Sequence, residues 1–216
     1  MFFAPLHVPV HRRLETLAVL YHVVTCIFLP IYAVLVPLFL LITPLCVFVW
    51  AYAAWYYYDY STPFRGARPK KWYRNLSIWN RFCDYFPIKL VKTAELSPEH
   101  NYIVGSHPHG ILSFGIFGTF CTEGAGFSQT FPGIQPFVAT LNANFYAPFR
   151  KELMTCHGLI SAAKESIMYN LTGEKKGNAV AIVLGGAEEA LDAASENYNL
   201  TLKKRKGFVK IALRTG

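Results

Sequence analysis

Two histidines separated by one proline form the segment with the clearest capacity for chemistry in this chain of 216 residues. His107 and His109 alternate with Pro108 and Gly110, and the glycine lets another group approach the backbone closely. An imidazole has an unperturbed pKa of about 6.5, which suits proton transfer near neutral pH. The segment therefore predicts a general base, while a structural turn and a zinc site are the alternatives on these four residues alone.

A catalytic imidazole also needs a carboxylate that fixes its tautomer and orientation. No Asp or Glu occurs in residues 101–122, so the partner has to come from another part of the chain. Glu188 and Glu189 are the candidates, because they follow Gly185 and Gly186 directly after an apolar run. The alternative role of this acidic pair is to stabilise the start of a helix, where carboxylates are favoured.

Predicted strands lead into both of these segments. Residues 102–104 are strand-like, and residues 179–184 are apolar throughout, as expected for a strand that is covered on both faces. Predicted helices over 111–121 and 159–171 alternate with them, which indicates an α/β fold with a mostly parallel sheet flanked by helices. Because functional residues gather beyond the carboxyl ends of parallel strands, the histidines and glutamates are predicted to share one crevice.

A basic cluster near the end of the sequence is the third candidate site. On a helix that begins near Arg205, the side chains of Lys206 and Lys210 fall on one face with Arg214. These cations predict binding of anionic groups such as cofactor phosphates or lipid headgroups. A solvated helix face explains the same pattern equally well.

An uncharged stretch sets the N-terminal part of the chain apart. All 21 basic and 13 acidic residues lie outside residues 16–58. A membrane-spanning helix needs roughly 20 apolar residues, so this stretch is long enough for two. We predict spans at about 17–36 and 38–58, with the reversal between Pro37 and Pro44. A buried helix pair in a soluble core and a cleaved signal peptide are the alternatives.

Basic residues on both sides of the stretch predict its orientation. Arg12 and Arg13 precede it, and Arg65 and Arg68 open a longer basic group after it. Because basic flanks tend to stay cytoplasmic, residues 1–60 are predicted to form a transmembrane helical hairpin with both ends in the cytosol.

Two expectations concern the rest of the chain. The basic and aromatic segment 61–81 is expected at the lipid headgroups or as a solvated linker, and residues 61–216 as one cytosolic domain. The net charge of +8 also fits a nucleic-acid binder, but the long uncharged stretch argues against that class.

Five ordered motifs resemble the type 2 diacylglycerol acyltransferase family, which includes monoacylglycerol and wax-alcohol acyltransferases. The resemblance covers nearly the whole chain. The motifs are Tyr85-Phe86-Pro87, Asn101-Tyr102-Ile103 leading into His107-Pro108-His109-Gly110, Phe131-Pro132-Gly133, Gly185-Gly186-Ala187-x-Glu189 and Arg205-x-Gly207-Phe208-x-Lys210-x-Ala212.

The resemblance implies an acyltransferase-like fold and transfer of a fatty acyl group from acyl-CoA to the hydroxyl of a monoacylglycerol or diacylglycerol, as in triacylglycerol synthesis. It maps the histidine motif onto His107 to Gly110 and the glycine-rich glutamate onto Glu189. We expect His109 to be the base, His107 to orient it and Glu189 to support it. The backbone at Pro108 and Gly110 is expected to bind substrate, and the cations Arg205, Lys206 and Lys210 to hold CoA phosphates.

The resemblance also implies the surroundings of the enzyme. It implies the endoplasmic-reticulum membrane and lipid droplets, acyl-CoA as a co-substrate, no permanently bound cofactor and no metal. The lipid bilayer is an expected partner, nucleic acid is not, and a homo-oligomer is compatible with the pattern. The last motif should continue past Gly216, so the acyltransferase domain is expected to be incomplete at its C-terminus. A catalytically inactive membrane-hairpin protein is therefore the rival function.

Overall fold

Parallel strands form the centre of the computed structural model, which describes residues 8–108, 112–191 and 200–215. Within these residues a four-stranded sheet has the order β1 (Tyr102–Ser106), β4 (Asn178–Val183), β2 (Gln135–Thr140), β3 (Leu159–Ser161). Its pairings are all parallel, with Ile103 opposite Val180 and Val138 opposite both Ala181 and Leu159. The predicted α/β class with a parallel sheet is confirmed.

Helices precede the sheet and cover its two faces. Two π-helical turns, Val24–Phe28 and Phe117–Cys121, and two 3-10 turns, Thr62–Phe64 and Asn142–Phe145, lie between them. The helices are α1 (Val10–Val23), α2 (Leu29–Leu40), α3 (Cys46–Tyr58), α4 (Lys71–Arg74), α5 (Ser77–Tyr85), α6 (Phe114–Ile116), α7 (Phe127–Thr130), α8 (Arg150–Cys156), α9 (Lys164–Thr172), α10 (Gly186–Leu191) and α11 (Gly207–Thr215).

The sheet is buried on both faces, as its apolar sequence requires. Ile167 of α9 and Ile211 of α11 pack on one face with Val180. Ile116 and the π-helical turn after it cover the other face, where they pack on Val138 and Ala181. Because neighbouring residues of β4 face opposite layers, the strand has no polar face.

The prediction of one helix over residues 159–171 is wrong. Leu159 and Ile160 belong to β3, which pairs with β2, and α9 begins only at Lys164. Ala163 has extended backbone angles and separates the two elements. The periodicity of a short apolar run does not distinguish a buried strand from a buried helix, so the pattern does not locate the boundary between β3 and α9.

The N-terminal helical run is long and apolar enough to cross a membrane, by its length and composition. Val10–Leu40 contains 31 residues, and only 6% of its most apolar window is buried in the molecule. At 1.5 Å per residue the run is about 46 Å long, which exceeds a hydrocarbon core of roughly 30 Å. Side chains such as Leu17 and Phe39 are exposed along it, as in a helix that meets lipid.

The observed helices differ from the spans expected at about 17–36 and 38–58. Helix α2 continues through Pro37 to Leu40, turn residues 41–45 follow it, and α3 has 13 residues, fewer than the roughly 20 that a crossing needs. Pro30 and Pro37 each remove one backbone hydrogen-bond donor from the continuous run, and the π-helical turn Val24–Phe28 lies directly before Pro30.

Helix α1 packs against α5, and this contact contradicts part of the prediction for segment 61–81. Ala18 shares a core cluster with Tyr73 and Trp79, and the hydroxyls of Tyr21 and Tyr73 are 3.1 Å apart. The expectation that segment 61–81 lies at headgroups or in a linker is wrong for Tyr73 and Trp79. These large rings are buried because α1 covers them.

Candidate active site

His107 follows β1 directly, and its ring contacts Glu189. Nδ1 lies 3.2 Å from Oε2 and 3.3 Å from Oε1 of that carboxylate, although the two residues are 82 positions apart. Glu189 belongs to α10, which begins just after β4, and β4 is the neighbour of β1 in the sheet. Two adjacent parallel strands therefore deliver an imidazole and a carboxylate to the same edge.

The Glu189 carboxylate is buried and held from a second side. The residue is 9% exposed, and the backbone N–H of Thr201 donates to Oε2 at 3.0 Å. The His107 side chain remains 21% exposed, so the ring is accessible while its partner is shielded. A shielded carboxylate orients an imidazole more firmly than a solvated one, because water competes less for the hydrogen bond.

Two glycines let Glu189 fold back over the end of β4. A Cβ atom at Gly185 would collide with the Glu189 side chain, so only glycine fits beneath the carboxylate. Gly186 has φ +59°, in the left-handed region that glycine adopts at little cost. The glycine pair is thus a local requirement for the position of Glu189.

Glu188 faces a different partner. Its Oε2 accepts a hydrogen bond of 3.1 Å from Arg205 Nη2, which also donates to the Gly185 carbonyl oxygen at 3.2 Å. The Glu188 side chain is about half exposed. Of the two glutamates, the structure brings Glu189 to the imidazole and Glu188 to the guanidinium.

Some of the remaining predicted site residues lie outside the described part of the chain, and the others lie beside His107 or near the start of α11. His109 and Gly110 lie outside the described residues, and Pro108 is described next to His107. Lys206 and Lys210 are exposed and form no ion pair within the described part of the chain, whereas Arg205 does. Among residues 8–108, 112–191 and 200–215, no three His, Cys, Asp or Glu side chains come together as metal ligands.

A buried cluster around His157 was not identified from the sequence. Arg74 is 3% exposed and donates to the His157 carbonyl oxygen at 2.6 Å and to Glu123 Oε1 at 3.2 Å. Burial is the main cause that lowers the pKa of His157 to about 4. Arg74 stands among other basic residues in the sequence, where a surface position was expected, and Glu123 is too distant to indicate the pair.

A second buried ion pair ties the end of α3 to α8. Lys151 is 1% exposed, and its Nζ lies 2.8 Å from Asp59 Oδ2. Arg68 also pairs with Asp59, and the Tyr52 hydroxyl donates to Glu152 at 3.0 Å. These contacts fix α3 against the α/β part, and no sequence pattern indicated them.

Comparison with known families shows to which family the chain belongs. The family model for diacylglycerol acyltransferase matches residues 38–216. The chain belongs to the diacylglycerol acyltransferase family. The resemblance that the five motifs predicted is therefore confirmed at the level of the family. No solved structure matches this chain.

Curated members of the diacylglycerol acyltransferase family match most of this chain. The 2-acylglycerol O-acyltransferase 1 of Bos taurus is 44% identical over 99% of this chain and 64% of its own length. The diacylglycerol O-acyltransferase 2 of Danio rerio is 44% identical over 95% and 57%. The acyl-CoA wax alcohol acyltransferase 1 of Homo sapiens is 48% identical over 88% and 58%. The chain thus spans about three fifths of the length of these relatives.

Proposed function

We propose that this chain transfers a fatty acyl group from acyl-CoA to the hydroxyl of a monoacylglycerol or diacylglycerol. The contact between His107 Nδ1 and the buried Glu189 carboxylate carries the proposal, because it provides an oriented, accessible imidazole. The names of the relatives, which are acylglycerol and wax-alcohol acyltransferases, supply the class of acceptor and donor.

The chemistry follows from the tautomer that Glu189 selects. A hydrogen bond from Nδ1 to the carboxylate leaves Nε2 of His107 as the proton acceptor. As Nε2 takes the proton of the acceptor hydroxyl, the oxygen attacks the thioester carbonyl. The tetrahedral intermediate then expels CoA as a thiolate, which takes the proton back from the imidazolium. An ester and free CoA result, and no acyl-enzyme is needed.

We assign the base to His107 because Glu189 contacts its ring, and His109 is the alternative that the sequence favoured. Separate His107→Ala and His109→Ala variants distinguish the two. A base contributes about 10²–10⁴-fold to the rate, whereas a neighbouring orienting residue contributes less. The larger loss of kcat in the His109 variant would return the role of base to His109.

The cations around the start of α11 support a site for the CoA phosphates. Lys206 and Lys210 have no ion-pair partner within the described residues, and Arg205 joins this region to α10 through Glu188. Multiple phosphates favour such clustered cations, because charge-assisted hydrogen bonds are stronger than neutral ones. We propose that these lysines bind the nucleotide end of the donor, with the thioester directed towards His107.

We further propose that residues 10–58 form a hairpin that enters and leaves the endoplasmic-reticulum membrane, or a lipid droplet, on the cytosolic side. The long apolar run Val10–Leu40 supports this arrangement, as do the basic residues Arg12 and Arg65 on either side of the uncharged stretch 16–58. The hairpin would deliver acylglycerols, which partition into the bilayer, to the edge of the sheet.

The test is a product assay on the purified chain in lipid nanodiscs. Radiolabelled oleoyl-CoA is supplied with monoacylglycerol, diacylglycerol or a long-chain alcohol, each in a separate reaction, and the His107→Ala protein serves as the blank. We expect labelled ester from at least one acceptor and none from the blank. Equal label in both proteins would overturn the activity and favour a non-catalytic membrane protein.

A further inference from the structure

Strand β1 lies at an open edge of the sheet. Its neighbour on one side is β4, and no strand within the described residues pairs with its other side. The carbonyl oxygen of Ser106 accepts a hydrogen bond from the N–H of Leu184, on the β4 side. Because the backbone groups of successive residues in a strand point to opposite sides, the N–H and C=O groups of Ile103 and Gly105 face the open side. These groups can pair with a further strand.

The opposite edge of the sheet is covered, so the two edges differ. All three residues of β3 are buried, and the 3-10 turn Thr62–Phe64 lies against this strand. In β1, Gly105 is exposed and the other four residues are only partly buried. Proteins usually cover or charge the edge strands of their sheets, because a bare edge pairs with other polypeptide. The open side of β1 therefore indicates a place for a partner strand.

Two cavities flank β1, one on each face of the sheet. A cavity of about 250 Å³ lies against Val104, Ile116 and Phe120, on the face covered by α6 and the π-helical turn after it. A cavity of about 300 Å³ lies against Ile103 and Ala212, on the face covered by α9 and α11. Because side chains alternate between the two faces of a strand, a strand beside β1 directs side chains into both cavities.

The order of the elements determines which segment fits this edge. Helix α9, which connects β3 to β4, lies on the same face as α11, since Ile167 and Ile211 share a core cluster with Val180. The connection through α9 crosses the sheet in the direction from β3 towards β1. Connections between parallel strands are almost always right-handed, so a connection through α11 on the same face continues in that direction. A strand that follows α11 therefore reaches the position outside β1.

The end of α11 lies where such a strand begins. Thr215, the last residue of α11, lines the cavity of about 300 Å³ together with Tyr102, the first residue of β1. The relatives have polypeptide to fill this position, because the chain spans only 64% of the length of the 2-acylglycerol O-acyltransferase 1 of Bos taurus.

We propose that the open side of β1 binds the segment that follows α11 in the longer relatives, as a fifth parallel strand. The backbone of this segment bonds to Ile103 and Gly105, and its side chains fill both cavities. It is apolar on both faces, as buried parallel strands are. Because the carboxyl ends of parallel strands meet at one edge, the end of the added strand lies beside His107 and forms a wall of the proposed crevice.

Co-purification tests the binding. The full chain is produced together with an affinity-tagged segment of the Bos taurus relative, which begins after the position that matches Thr215, and both are reconstituted in lipid nanodiscs. We expect the chain to be retained with the tagged segment. Hydrogen exchange then locates the contact, since the amides of Ile103 and Gly105 should exchange at least about tenfold more slowly in the complex and those of β3 should not change.

Ile103→Pro removes the N–H that faces the open side. The pairing of β1 with β4 remains, because proline is tolerated where the N–H of an edge strand faces outward. Retention of the segment should fall by about tenfold or more, since a carbonyl oxygen of the added strand is left without its donor. Ile103→Ala is the matched control, because it shortens the same side chain, keeps the N–H and should retain the segment.

Four results would overturn the proposal. These are no retention by the unmodified chain, equal retention by a folded Ile103→Pro protein, and slower exchange in β3 in place of Ile103 and Gly105. The fourth is slow exchange of Ile103 and Gly105 in the chain alone together with a dimer in light scattering, which would assign the edge to a second copy. The exchange measurement uses the unmodified chain, so it is decisive even where Ile103→Pro fails to fold. None of these measurements depends on ester formation in the product assay.

Discussion

His107 and His157 are two imidazoles with opposite surroundings. The His107 side chain is 21% exposed, and its Nδ1 faces the carboxylate of Glu189 at 3.2 Å. His157 is 5% exposed, its ring centroid lies 4.7 Å from that of Tyr73, and its Nδ1 faces the Cys121 carbonyl oxygen at 2.9 Å. One ring meets a charged partner and remains accessible, and the other meets a neutral partner within an aromatic core.

The difference shows that the hydrogen-bond partner and the solvent exposure of an imidazole determine whether the ring can take part in proton transfer. Burial disfavours the charged ring and lowers the pKa of His157 to about 4, so this ring stays neutral near pH 7. A neutral, enclosed ring contributes packing and one hydrogen bond. A ring held by a carboxylate at the end of a strand can accept a proton from a substrate.

Replacing each histidine with glutamine in turn tests whether the two rings have different roles. His107→Gln should lower kcat/KM by about 10²–10⁴-fold, since the proposed base is lost, while the thermal midpoint stays near that of the unmodified chain. His157→Gln should lower the thermal midpoint and leave kcat/KM nearly unchanged, because it replaces a packed ring by a flexible polar amide in an aromatic core. Product assays and thermal unfolding in detergent check both. Loss of activity in a stably folded His157→Gln protein would contradict the comparison.

The pH dependence of the free energy of unfolding tests whether His157 stays neutral in the folded chain. Its pKa in the folded chain, about 4, is below the unfolded value of 6.5, so the unfolded state binds more protons between these values. Stability should be complete above about pH 6.5 and should fall by on the order of 3 kcal/mol as pH drops towards 4. Urea unfolding at several pH values measures this slope.

The groups that face His157 define the controls for that titration. The rings of Tyr73 and Trp79 lie against it, and the charges of Arg74 and His22 act on it electrostatically. His157→Phe should remove much of the pH slope, and His100→Phe, at an exposed position, should retain it. An unchanged slope in His157→Phe would assign the acid sensitivity to another group.

The two adjacent glutamates offer a matched test of the His107 partner. Glu189→Gln should lower kcat by about 10–100-fold with the KM for acyl-CoA unchanged, because the carboxylate orients the ring and does not touch the donor. Glu188→Gln, which loses a half-exposed contact to Arg205, should lower kcat less. Steady-state kinetics on both proteins decides between them, and equal losses would remove the special role of Glu189.

The smallest expected effect concerns the glycine beneath Glu189. Gly185→Ala adds a Cβ atom that displaces the carboxylate, so activity should fall by about tenfold, the lower end of the loss expected for an orienting partner. Combined with Glu189→Gln, it should cause no further loss, because both changes act on the same contact. Losses that multiply in the double variant would indicate a separate role for Gly185.

The elements around the site were predictable where local sequence determines structure. The unbroken apolar run before Gly185 requires a strand covered on both faces, and β4 is such a strand. The placement of His107 and Glu189 at one edge then follows from parallel pairing. The choice between Glu188 and Glu189 did not follow, because it depends on the direction in which α10 leaves the left-handed turn at Gly186.

Elements that depend on long-range contacts were not predictable in the same way. Arg74 resembles its basic neighbours in sequence, and only the distant Glu123 and the His157 carbonyl make its burial tolerable. Strand β3 is three residues long, and β2 supplies the hydrogen bonds that make it a strand. Both features arise from partners far along the chain, which no local pattern encodes.

The joint between the long apolar helix and the α/β part has no flexible linker. α1 packs on α5 through Ala18 and Tyr21, and the same helical run continues to Leu40. In a bilayer that contains this run, the helix and the sheet tilt together, because α1 is packed against the α/β part. A thinner or thicker bilayer then changes the height of the His107 imidazole above the lipid surface, so membrane thickness would act on the proposed catalytic site.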